Sequence, residues 1–251
     1  DANYIEARTS GSITATIDDG TLSAFINPTT HAISFRSGEA YSFEVTDNDL
    51  TATQLPELVL LNAATTGEIF LDPGDGTGAT LTGALSDLVA IANNALTAAE
   101  ITAGGKNGFK GLGDAKFTTN DASVVSIADL VVLNGVTSGA DLIDADSVTG
   151  LTGTFADAKV IYDANTTFTT DIDDKPLTLT GTITVANATA AAGYTTGVLT
   201  ATVSDTAANL KALANEGTNK ITVSMTGTTA AAADVILVNV DTASLITSTV
   251  G

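Results

Sequence analysis

The chain repeats itself, and a repeat restricts the possible folds more sharply than any other feature of the sequence. The segment Pro56-Glu57-Leu58-Val59-Leu60-Leu61-Asn62-Ala63-Ala64-Thr65-Thr66-Gly67 aligns without gaps with Ala128-Asp129-Leu130-Val131-Val132-Leu133-Asn134-Gly135-Val136-Thr137-Ser138-Gly139. A third copy, Ala186 to Gly197, keeps Asn187 at the acidic position and ends in Thr195-Thr196-Gly197. A degenerate fourth, Ala233 to Ser244, keeps the Ala233-Asp234 start and loses the glycine. The distance between copies shrinks from roughly 70 to 60 to 50 residues, which makes the unit constant and the insertions variable.

Each unit has the same order of parts. A β-like run comes first: Tyr41 to Val45, Lys116 to Thr118, Leu177 to Thr184 and Lys220 to Ser224. The motif follows and reads as a short helix, with Pro56 suited to its first turn and Glu57 or Asp129 to its N-terminus. Gly67, Gly139 and Gly197 then stop the helix or turn the chain. A second β-like run (Glu68 to Leu71, Ala140 to Ile143, Val198 to Val203) leads to a closing helix, clearest in Ser204 to Leu213, where Ser204 or Asp205 can cap. Ser86 to Ile91 and Ala156 to Ile161 are its counterparts. One such unit buries little alone, whereas stacked units share a core. The expected fold is therefore mainly β with short helices, a repeat-built parallel β-solenoid-like or layered β fold over 43–251, with units starting near 43, 116, 177 and 220. Residues 1–42 read as an N-terminal β-meander, a cap or assembly element, from β-like runs at Ser12 to Ile17, Thr21 to Ile26 and Ala32 to Phe35. Asp18-Asp19-Gly20 and Asn27-Pro28-Thr29-Thr30 serve as its turns.

Composition supports a folded chain: of 251 residues 44% are hydrophobic, though only 5% are aromatic and there is no Trp or Cys. Abundant Thr, Val and Ile favour pleated structure. The net charge of −20, from 9 basic and 29 acidic residues, argues against nucleic acid and anionic membranes as partners. It also sets up carboxylate repulsion that salt or divalent cations relieve. No apolar run is long enough to span a bilayer. A chain opening at Asp1 without Met, Cys-free, acidic and Thr/Ala/Gly-rich, is expected to be exported.

The motif from Asp129 to Gly139, and above all Val203-Ser204-Asp205-Thr206-Ala207-Ala208-Asn209-Leu210 followed by Lys220-Ile221-Thr222-Val223, resembles the "β-strand repeat" proteins of cyanobacteria and other bacteria. Similar repeats occur in surface-layer-like, adhesin-like and haemolysin-like proteins and in some phage structural proteins. The resemblance covers roughly residues 43 to 251. It implies an extracellular, cell-surface or virion-surface location and a structural or adhesive role, and brings no catalytic residues with it.

Few residues carry chemistry. The single histidine, His31, stands beside a polar turn and reads as a turn residue rather than a triad member. Zinc catalysis draws on several His or Cys ligands that this chain lacks. Gly104 to Asp114 is glycine-rich but has no Gly-Lys-Ser/Thr ending, and reads as a flexible loop. Paired carboxylates for glycoside hydrolysis would lack aromatic sugar platforms. No enzyme is expected. Calcium is the stronger candidate, because hard cations take several carboxylate and carbonyl oxygens. The candidate ligands are Asp47 and Asp49, Asp72 and Asp75, Asp144 and Asp146, and Asp171, Asp173 and Asp174. The same residues also suit turns. The functional expectation is a structural subunit of an extracellular assembly (filament, sheath, surface layer or virion appendage), self-associating into a homo-oligomer or polymer by strand pairing. The run Asp234 to Val250 could donate a strand. The alternative is an adhesin-type module binding a glycan or cell surface.

Overall fold

The structure, a computed structural model, describes residues 13–27, 29–30, 35, 39–72, 78–104, 106–140, 142–164, 172–213, 218–226 and 246–248. The chain opens with β1 (Thr14–Gly20), α1 (Leu22–Phe25), β2 (Ala40–Val45), β3 (Asp49–Leu50), α2 (Leu55–Ala64), β4 (Glu68–Leu71), β5 (Thr80–Gly83) and α3 (Leu85–Ala92). It continues with α4 (Ala98–Ala103), β6 (Gly108–Lys110), β7 (Lys116–Thr119), β8 (Val124–Ser126), α5 (Ile127–Val136), β9 (Ile143–Asp144), β10 (Gly150–Gly153) and α6 (Phe155–Asp163). A 3₁₀ turn (Ile172–Asp174) leads into β11 (Leu177–Ile183), α7 (Val185–Ala192), β12 (Leu199–Thr206), α8 (Ala207–Leu210), β13 (Lys220–Thr226) and β14 (Ile246–Ser248).

The described strands form three sheets, in the orders β1-β2-β4-β6, β3-β5-β7-β9 and β14-β13-β12-β11-β10-β8, and all their pairings are parallel. This is an α/β fold, and it overturns the expected mainly-β, solenoid-like or layered β architecture. The motif segments are helices of two to three turns (α2, α5, α7), and further helices cover the returns between parallel strands, which such connections require. A short apolar run does not distinguish strand from helix by periodicity. The N-terminal meander is also overturned. β1 lies parallel to β2, and Leu22–Phe25 is a helical turn rather than a strand. Asp18-Asp19-Gly20 closes β1 instead of forming a hairpin turn. Asn27 does nucleate a turn, its Oδ1 accepting from the Thr29 and Thr30 N–H groups at 2.9 and 3.0 Å. Gly108–Lys110, inside the expected loop, is strand β6.

The chain divides into two compact units, one of residues 1–121, 132–145 and 166–170, the other of 122–131, 146–165 and 171–251. In the first, the rows Phe43–Ile69–Phe109 and Leu50–Leu81–Phe117–Ile143 run across the two four-stranded sheets, every member buried. Phe43 also meets the rings of Phe25 and Phe35, at 4.9 and 4.8 Å between centroids. In the second, Val125–Leu151–Leu177–Leu199 and Ile183–Val203–Val223 are the equivalent buried rows. Each fully buried aliphatic side chain contributes about 2 kcal/mol.

Threonine does two jobs in this architecture. Thr154, Thr184 and Thr206 cap α6, α7 and α8, each Oγ1 accepting from the backbone N–H three residues on. For α8 the cap is thus Thr206 rather than Ser204 or Asp205. The Thr-Thr-Gly endings are backbone clasps. Thr65 Oγ1 donates to the Tyr41 carbonyl and accepts from Gly67 N–H at 3.0 Å. Thr195 Oγ1 donates to Lys175 O at 2.6 Å and accepts from Gly197 N–H at 2.8 Å. In all three described copies the next backbone N–H reaches back to an earlier carbonyl: Thr66 to Glu39, Ser138 to Gly113 and Thr196 to Asp173. Glycine is required at the end of two copies, because a Cβ at Gly67 would lie 2.3 Å from Tyr41 O, and one at Gly197 2.7 Å from Lys175 C and O.

Candidate functional site

Among the described residues, the acidic candidates stand at several separate places in the fold, and only Asp146 and Asp174 share a partner, Lys175. Asp47 Oδ2 accepts from the Leu22 N–H at 2.6 Å and so caps α1 from the end of β2. Asp121 does the same for α3, accepting from Leu85 N–H at 2.7 Å, and Asp205 for α7, accepting from Val185 N–H at 3.3 Å. A carboxylate at the end of one strand thus serves the helix before it, a role that only the register between strands makes visible. Asp49 is exposed in β3, and Asp72 is half-buried just after β4. Asp144 stands 3.9 Å from the Lys116 ammonium. Asp146 and Asp174 flank Lys175 Nζ at 3.9 and 3.5 Å, and this ammonium also donates to Asp146 O at 3.1 Å, so the protein's own cation occupies the space between those carboxylates. The Asp173 carbonyl accepts from Thr196. Asp75, Asp171 and His31 lie outside the described residues, as does most of Asp234 to Val250. Among the described residues no three acidic or histidine side chains converge as a metal site would require.

The shifted titrating groups serve local structure. Glu100, in the capping box of α4, is lowered to about 2, first by its hydrogen bond from Lys106 and then by those from Thr97. Asp205 is lowered chiefly by Asn209, and Lys159 is raised by Asp163. Burial pushes the Tyr162 phenol up, helped by the charges of Asp173 and Asp174. Tyr194 stacks on Tyr162 at 4.9 Å and 6°, and on Phe155 at 6.2 Å and 18°, so its ring sits between two others and bolts the end of α7 to α6.

Two surfaces are more suggestive. In the first unit a polar cleft of about 450 Å³ is lined by Thr66, Asn93, Asn94, Leu96, Glu100 and Asn107, together with Lys106, whose ammonium pairs with Glu100 at 2.6 Å. In the second unit the six-stranded sheet turns its alternate residues outward as rows of hydroxyls. Thr152, Thr178 and Thr200 stand side by side, as do Thr182, Thr202 and Thr222, all exposed or half-exposed. In the sequence these threonines signal only β structure. Their assembly into rows depends on register, which composition does not encode. Comparison with family models, curated proteins and solved structures finds no match for this chain.

Proposed function

We propose that the chain is a structural subunit of an extracellular assembly, such as a filament, sheath, surface layer or virion appendage, in which copies associate by backbone pairing at sheet edges. The observation behind this reading is the set of three open sheets in which successive strands add in parallel, like upon like. Thr202 pairs with Thr222, Val203 with Val223 and Ser204 with Ser224 in unbroken register. A ladder built by adding near-identical rungs presents, at its edges, the groups that another such rung would use. A polymer of so acidic a chain needs its charge offset, and calcium at the acidic turns is the proposed counter-ion. No helix among the described residues is long and apolar enough to cross a membrane.

Electron microscopy and sedimentation of the purified protein, with calcium, with chelator and with added salt, test this. Ordered polymers or sheets favoured by calcium or salt are expected. A monodisperse monomer under every condition would overturn the reading.

A second reading, a glycan-binding module, rests on the polar cleft. Its carboxamides offer paired donors and acceptors suited to vicinal hydroxyls, and its one ion pair is internally neutralised. Titration with neutral oligosaccharides should shift the Asn93 and Asn107 amide resonances, and unmoved resonances at millimolar sugar would remove it.

A further inference from the structure

We infer that the hydroxyl face of the six-stranded sheet is a docking face for a second copy of this chain; the inference rests on the assembly reading and adds to it a contact distinct from edge pairing. Parallel sheets are ordinarily covered on both faces. Here Leu177, Leu179 and Ile183 of β11 are buried while Thr178, Thr180 and Thr182 between them are exposed, and Thr152, Thr200 and Thr202 on neighbouring strands are half-exposed, so among the described residues one face lies in the core and the other reaches solvent.

Charge identifies the occupant. The chain carries 29 acidic residues against 9 basic ones, so most ways of bringing two copies together set carboxylate against carboxylate. The outward positions of β10, β11, β12 and β13 hold no Asp or Glu; they carry hydroxyls and a single cation, Lys220. The acid nearest in sequence, Asp205, belongs to the opposite parity of β12 and is engaged at the start of α7. Two such faces can therefore meet without like-charge repulsion. Threonine rows also present methyl groups for close contact, and hydroxyls that both donate and accept, so each can satisfy its counterpart in another copy.

Size sets the strength. Six strands spaced about 4.8 Å apart, three of them seven or eight residues long and three only three or four, give a footprint of roughly 500 Å² per copy. That is below the roughly 800 Å² per partner of a stable pair. One contact is therefore weak and concentration-dependent, and it gains strength when repeated along an assembly already joined at its edges.

The chain has no cysteine, so a Thr202→Cys variant carries one thiol for a spin label. Dipolar broadening that grows with protein concentration is expected, together with concentration-dependent sedimentation of the wild type. The triple variant Thr182→Glu, Thr202→Glu, Thr222→Glu should retain its circular dichroism and weaken this association at least about tenfold at low salt. The same change at Thr82→Glu, on the first unit's sheets, should leave it unaltered. If the triple variant associates as the wild type does, the docking face is overturned while edge assembly stands. If the wild type forms pairs that the triple variant loses, yet never polymerises, the docking face stands and the assembly reading falls. A wild type that neither pairs nor polymerises overturns both. A label immobilised by insoluble neutral polysaccharide, and not by added protein, overturns the second copy in favour of a carbohydrate.

Discussion

The two units solve the same problem, a parallel sheet with helical returns, with different materials. The first fills its sheets with rings: Phe25, Phe35, Tyr41 and Phe43 form one cluster, and Phe109 and Phe117 extend the buried rows. Its outward sheet positions mix hydroxyls, such as Thr80, Thr82 and Thr118, with charged residues that pair. Glu68 meets Lys110 at 3.2 Å, Lys110 lies 4.9 Å over the Phe70 ring, and Lys116 approaches Asp144 at 3.9 Å. The second unit fills its sheet with aliphatic rows and keeps its rings on the helical side, in the Phe155–Tyr194–Tyr162 stack. The outward positions of β10 to β13 are mostly hydroxyls, with one cation, Lys220, and no carboxylate. A carboxylate paired with an ammonium is already satisfied in water, whereas a face without carboxylates can meet its like without acid-on-acid repulsion. On the docking proposal, the second unit's sheet is the part that makes the contact.

The sharpest way to break this comparison is through the cores. Phe43 is 1% exposed and touches three other rings, so Phe43→Ala should cost about 3–5 kcal/mol. Val203→Ala removes less volume from a row of small neighbours and should cost about 2 kcal/mol. Native-state hydrogen exchange resolves the two effects unit by unit. Equal losses would mean that the rings do not dominate the first core.

The clasps come next. Gly67→Ala would push a methyl to 2.3 Å from the Tyr41 carbonyl and displace backbone, for an expected loss of about 3 kcal/mol. Gly197→Ala, whose nearest atoms are at 2.7 Å, should cost less. Denaturant titration measures both. A neutral Gly67→Ala would show that β4 can shift away from β2 without penalty.

How far the sequence revealed this molecule can be read from those same residues. The runs Tyr41 to Val45 and Glu68 to Leu71 are strands, and the repeated motif is helical, because proline near a helix start, acid in its first turn and alternating burial are local signals. Fold class is not legible in the sequence because the balance of helix and strand depends on the residues between the motifs, where short apolar runs carry no decisive period. Gly67 was recognised as a turn residue, but its reason is the approach of another strand 24 to 26 residues earlier in the chain. Asp47 reads in the sequence as a candidate cation ligand, and its carboxylate's role as a cap on a helix 25 residues before it is visible only in the fold. The hydroxyl rows also exist only once the register is set. In each case the missing information is tertiary: a partner distant in sequence, invisible to any window of neighbouring residues.

A smaller effect tests the carboxylate caps. Asp121 serves the N-terminus of α3 from just past the end of the neighbouring strand β7 and also accepts from Thr119 at 3.1 Å. Asp121→Ala should therefore cost about 1 kcal/mol. The corresponding Asp205→Ala in the second unit, with its longer 3.3 Å contact to α7, should cost less. Thermal unfolding of the two variants ranks them. If Asp205→Ala proves the more damaging, shared capping geometry does not govern these helices and Asp205's own partner, Asn209, carries the effect.

The smallest effect is confined to α4 and has a definite sign in pH. Glu100 holds the Thr97 N–H with its carboxylate at 3.0 Å while Thr97 Oγ1 accepts from Glu100 N–H, and Lys106 donates to the same carboxyl group. These contacts favour the charged form, so the folded carboxyl titrates at about 2 rather than at the ordinary 4.5. A carboxyl lowered on folding contributes fully above its unfolded value and loses that contribution as pH falls toward the folded one. The α4 turn should therefore be intact at pH 5 and above and fray progressively between about pH 4.5 and pH 2. The rows of the second unit, which contain no carboxylate, should hold their amide protection across the same interval. Carbon-13 titration of the Glu100 carboxyl should give a midpoint near 2, moved upward by Lys106→Ala because the hydrogen bond that lowers it most is gone. A wild-type midpoint at the ordinary 4.5 would mean that solvent, rather than Lys106 and Thr97, sets the state of this carboxylate, and α4 would then lose its pH dependence in that range.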